Sequence, residues 1–147
     1  MSMFNFFKKI EDKILDEQRY EFDIELVSCA LAYEVAKADG DIDSNELEKI
    51  KIELTKRSNI LGLDSDEVFK TIEIQSNESV SFNDFINQIN DNFSQDQKLE
   101  MIGFLWHTAY ADNVLDVDEE RLIRRIADMI RIKDMQVLKL KHKAKQK

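Results

Sequence analysis

Two short acidic stretches hold the residues with ligand chemistry. Ala38-Asp39-Gly40-Asp41-Ile42-Asp43-Ser44-Asn45-Glu46 returns as Ala111-Asp112-Asn113-Val114-Leu115-Asp116-Val117-Asp118-Glu119, an offset of 73 residues from Asp39 to Asp112. The same register pairs Asp43 with Asp116, Glu46 with Glu119, Ile42 with Leu115 and Gly40 with Asn113. An internal repeat that keeps three acids and one aliphatic in step is the strongest signal in the chain. Carboxylate oxygens are hard donors, so a cation held by this set would be Ca²⁺, Mg²⁺ or Mn²⁺ in preference to Zn²⁺.

Helix capping explains part of the pattern without any ion. Asp43-Ser44-Asn45-Glu46 and Asp116-Val117-Asp118-Glu119 both have capping-box spacing. An acid at the cap accepts backbone N–H bonds and faces the positive end of the helix dipole, which stabilises by roughly 1 kcal/mol. Asp39 and Asp112 are different. Each ends an apolar helical run, just before a residue that tolerates the left-handed conformation beyond a helix end. An acid at that negative terminus costs roughly 0.3–1 kcal/mol. A cation would offset that cost, with Asp39, Asp43 and Glu46 converging across one turn and Asp112, Asp116 and Glu119 facing them. Without one, carboxylates about 4 Å apart repel by roughly 4 kcal/mol at an effective dielectric near 20.

Asp39-Gly40-Asp41-Ile42-Asp43 has the opening of an EF-hand loop, but Ser44 occupies the position of its glycine and Ile50 that of its final glutamate. The EF-hand is excluded. Glu34 and His107, at equivalent repeat positions, are structural residues in this reading and stay outside the ligand set.

The elements that must position these acids are helices. The chain has no proline and three glycines among 147 residues, so breakers are scarce. An amphipathic opening helix is expected over 1–18, with Phe4, Phe7, Ile10, Ile14 and Leu15 on one side and Lys8, Lys9 and Lys13 flanking it. Packing on the domain's own core is its expected role, with peripheral membrane contact as the alternative. A central helix follows over about 21–39, and a third carries Leu47, Ile50 and Leu54 up to Gly62. Asp64 opens a fourth, Ser81 caps a fifth, and Ser94-Gln95-Asp96-Gln97 opens the second central helix with Leu105 and Trp106. Leu122, Ile123 and Ile126 mark the next, and Val137 to Leu140 the last. The expected fold is all-α: one compact bundle of seven to eight helices, built from two pseudo-symmetric helix–loop–helix repeats within a single domain over 1–147.

Composition excludes several classes. A net charge of −9 argues against nucleic-acid binding, which needs a basic face. No apolar run approaches the roughly 20 residues of a membrane-spanning helix. The single cysteine, Cys29, lies in an apolar run and reads as a small buried hydrophobe. A cytoplasmic location is the default that follows. The basic tail over 133–147 suits its own helix dipole.

Taken together, Ala38-Asp39-Gly40, Ile42 and Glu46, with Leu105-Trp106, Ala109-Tyr110-Ala111-Asp112, Leu115 and the stretch from Glu119 to Asp128, resemble the TerB-like family, in its stand-alone bacterial branch. The likeness covers about 22–132; Asn113 stands where the family often has glycine. The resemblance implies an all-α domain of about seven helices in two pseudo-twofold repeats. It also implies a metal site at Asp39, Asp43, Glu46, Asp112, Asp116 and Glu119. Tellurite resistance is a label of the founding operon and is not carried over.

The function expected is a non-catalytic cation-binding interaction or stress-response module with a protein partner. The main alternative is a structural adaptor whose acids serve as caps. A metal-dependent hydrolase ranks below both, because no phosphate loop, Ser/His/Asp set or metalloprotease helix accompanies the acids.

Overall fold

The computed structural model describes residues 23–38, 40, 42–77, 82–111 and 115–145. The opening helix expected over 1–18, the Ser81 cap and both Asp39 and Asp112 lie outside them. Seven helices appear among the described residues and no strands: α1 Ile24–Ala36, α2 Ser44–Leu61, α3 Ser65–Asn77, α4 Phe82–Asn92, α5 Gln95–Ala109, α6 Val117–Met129 and α7 Asp134–Lys145. None is long and apolar enough to cross a membrane.

The bundle is organised around α1 and α5, which share the most extensive contact in the molecule. In α1 every residue from Leu26 to Ala36 except Glu34 is buried, so its surface is covered nearly all round, as a central helix requires. Asp23 starts it by accepting the N–H groups of Glu25 and Leu26 at 3.1 and 3.0 Å. The same carboxylate takes the Arg57 guanidinium of α2 at 2.5–2.6 Å, which raises the Arg57 pKa and ties two helices together. Ser28, buried in this apolar setting, donates to the Ile24 carbonyl at 2.7 Å, so its hydroxyl is not stranded.

In α5 the reciprocal Ser94–Gln97 capping box forms as its spacing predicts, at 2.9 and 3.2 Å. Met101, Ile102, Leu105, Trp106 and Ala109 then enter the core. Trp106 is fully buried, and its indole N–H donates to the Val137 carbonyl of α7 at 3.1 Å. Tyr33 occupies the equivalent position in α1, also buried, and stacks edge-on against Phe69 of α3 with ring centroids 5.9 Å apart.

The outer helices bury one stripe each. Ile50, Leu54 and Ser58 face inward from α2; Ile123, Ile126 and Ala127 from α6. Gly62 ends α2 in the left-handed conformation, φ 74°, with Leu63 N–H donating to Ser58 O at 2.8 Å. The end of α6 uses the same bond, Ile132 N–H to Ala127 O at 2.9 Å, but places Arg131 at φ 67° where glycine would be unstrained. Contacts also cross between the two halves: α1 touches α6, and α2 touches α5.

Candidate metal site

The two repeated stretches fold into the same local hydrogen-bond pattern. Tyr33 O accepts from Lys37 N–H at 3.2 Å, and Trp106 O from Tyr110 N–H at 3.1 Å. Val35 O accepts from Ala38 N–H, and Thr108 O from Ala111 N–H, both at 3.0 Å. Every one of these atoms is related to its counterpart by 73 positions. Beyond α1, Gly40 adopts φ +99°, and its N–H returns to Lys37 O at 2.9 Å. A Cβ there would meet no atom within 4 Å. The glycine is required by the backbone conformation and not by crowding.

Asp43 and Asp116 are N-caps, as their spacing predicts. Asp43 sits at φ −66°, ψ 137° and Asp116 at φ −75°, ψ 139°. Asp43 Oδ1 accepts from Asn45 and Glu46 at 2.8 and 3.3 Å; Asp116 Oδ1 accepts from Asp118 and Glu119 at 2.8 and 3.2 Å. In both, Oδ1 carries the capping bonds. Ile42 and Leu115 pack against the core just ahead of the caps, and so anchor the loops.

Glu46 and Glu119 depart from what capping alone requires. Completing a capping box does not require burial, yet these first-turn glutamates, Glu46 and Glu119, are each 3% exposed, with Oε2 out of reach of solvent. Charged residues are rarely buried to this extent unless something compensates the charge.

The arrangement fits a cation only with help from outside the described residues. Among those residues, no three His, Cys, Asp or Glu side chains group as metal ligands. The described members of the predicted set (Asp43, Glu46, Asp116 and Glu119) thus leave the completion of a ligand group to Asp39 and Asp112. The EF-hand is excluded by geometry as well as sequence: α2 begins at Ser44, the sixth position of a loop that would need twelve. Lys49 is a residue the repeat did not point to. Its Nζ lies 3.3 Å from His107 Nε2, joining α2 to α5, and its own repeat partner is the apolar Leu122. A cationic neighbour supports the exclusion of His107 from the ligand set.

A family model described as tellurite resistance protein TerB matches residues 25–142. The chain belongs to the TerB family. The match runs from the first turn of α1 almost to the end of α7, so it takes in both acidic stretches and reaches ten residues beyond the likeness drawn from the motifs. No curated protein and no solved structure matches the chain.

Proposed function

We propose that this TerB domain is a non-catalytic, cation-binding interaction module that works in the cytoplasm. Asp39, Asp43 and Glu46 with Asp112, Asp116 and Glu119 would hold a hard divalent ion, Ca²⁺, Mg²⁺ or Mn²⁺. The ion's contribution when bound is charge neutralisation, locking two loops that link four helices. The observation that carries the reading is the matched burial of Glu46 and Glu119, 3% exposed each, beside caps of matched geometry. A carboxylate buried to this extent favours a positive charge beside it, and each stands on the inward face of its helix one turn before Ile50 or Ile123.

A structural adaptor, with the acids as caps, is favoured by the bonds made by Asp43 and Asp116. Thermal unfolding of metal-stripped protein separates the two. Added Ca²⁺, Mg²⁺ and Mn²⁺ are compared in the wild type and in the Asp39→Asn/Asp112→Asn double variant. A saturable rise with one ion is expected, about 2.7 kcal/mol at a hundredfold excess over Kd, and absent in the variant. No ion-specific shift in the wild type moves the function to the adaptor.

A further inference from the structure

A hollow of about 330 Å³ lies between α5 and α7, lined by Gly103, Phe104 and His107 from one helix and Leu140, Lys143 and Ala144 from the other. Phe104, Leu140 and Ala144 are partly buried against the core, and the apolar surface left over lines the hollow. Gly103 keeps it open. A glycine inside a helix costs roughly 1 kcal/mol relative to alanine, yet a Cβ here would meet only Leu140 Cδ2, at the ordinary contact distance of 3.9 Å. The packing of α5 on α7 therefore gives no reason for the glycine, whereas an open hollow does.

The charge beside this hollow is opposite to that of the chain. The protein carries −9, but among the described residues no carboxylate lines the hollow. Exposed Lys143 belongs to its lining, and Lys49 Nζ lies 3.3 Å from Nε2 of His107, which also lines it. An ammonium has donors only, so Lys49 gives that bond and the imidazole accepts it. The basic sign is local. The hollow at the start of α1 has Glu25, Glu53 and Glu100 in its lining instead.

We propose that the hollow between α5 and α7 docks an acidic amphipathic helix of a protein partner. One large apolar side chain of that helix enters over Gly103, and carboxylates one turn to either side meet Lys143 and Lys49. A helix suits the shape, because α5 and α7 each present residues one turn apart, Gly103 with His107 and Leu140 with Ala144. A groove between two helices receives the side-chain ridge of a third. An acidic helix suits the charge. A second copy of this chain brings another −9, and an anionic membrane brings a negative surface potential, so both are opposed at long range. The inference rests on the interaction role proposed above and not on the cation.

The test selects a random peptide library, displayed on phage, against the full chain in EDTA. Enriched sequences are expected to carry Leu, Phe or Met at helical spacing with Asp or Glu around them. An enriched peptide, followed by fluorescence anisotropy, should lose affinity about tenfold or more in Gly103→Leu, which fills the hollow, and in Lys143→Glu, which reverses its rim. The helical circular dichroism should be retained in both. Should Gly103→Leu unfold the bundle, Lys143→Glu, at an exposed position, decides alone. No enrichment, a basic consensus, or equal affinity for wild type and Lys143→Glu overturns the proposal. It is equally overturned if Lys143→Glu instead abolishes self-association or binding to phosphatidylglycerol vesicles, which would assign the face to a second copy or to a membrane. Peptide binding in EDTA without any ion-dependent stabilisation would remove the cation and leave the docking site standing. Ion-dependent stabilisation without peptide binding would remove the docking site alone.

Discussion

Alkaline pH should destabilise this protein through one thiol. Cys29 is 1% exposed in α1, and burial, reinforced by Glu53, Asp23 and Glu25, pushes its pKa from 9.0 up to about 12. The folded state therefore holds the proton more tightly than the unfolded state. The associated stability is fully present below pH 9 and is lost as pH rises towards 12. The whole difference corresponds to about 4 kcal/mol and is an upper bound, with about half of it gone midway through that window. Urea unfolding at a series of pH values from 7 upward, in wild type and Cys29→Ala, isolates the effect. Tyr33, whose pKa burial also raises, titrates in both proteins and cancels in the difference. Wild-type stability should fall more steeply than the variant's by about 2 kcal/mol near the middle of the window. Parallel pH profiles would refute the reasoning, as would rapid reaction of the native thiol with a disulfide reagent at neutral pH.

Two further substitutions probe the frame around the candidate site. Arg131→Gly relieves a left-handed backbone at φ 67° and should raise stability by roughly 0.5–1 kcal/mol in urea unfolding. It also removes the positive charge that, after desolvation, lowers the Lys98 pKa. Trp106→Phe removes the indole bond to Val137 and leaves a void between α5 and α7. The expected loss is on the order of 2–3 kcal/mol, measured by circular dichroism in urea.

Most of the fold was readable from periodicity and punctuation. Gly62 does end α2, Ser94 and Gln97 do form a reciprocal box, and Asp64 does cap α3 through Asp66 and Glu67 N–H bonds at 2.9 and 3.3 Å. The first central helix was read too long, 21–39 against the observed Ile24–Ala36. Asp23 is the reason at one end: its cap geometry stops the helix behind it, yet its bond to Arg57 depends on a residue 34 positions away. At the other end the apolar run continues through Ala38, but Lys37 and Ala38 already form a turn. The left-handed Arg131 carried no signal, since the residue type that marks such a position is absent there. The basic stretch expected as a C-terminal helix or tail over 133–147 is helical as α7 from Asp134 to Lys145. His142, Lys143 and Lys145 in its last turn favour the helical form through the helix dipole.

At the candidate site, spacing distinguished caps from ligands only partly. Asp43 and Asp116 satisfy both readings, because a carboxylate with one oxygen on backbone N–H groups keeps the other for a cation. A capping glutamate and a ligating glutamate occupy the same position three residues after the cap. Here both stand four residues before a core isoleucine, Ile50 or Ile123, so helical periodicity turns them inward. The two halves also differ in helix length: α2 has 18 residues and α6 has 13. The equivalence runs from the turn and its cap through the buried Glu46 and Glu119 to Ile50 and Ile123 and to Leu54 and Ala127 on the inward faces.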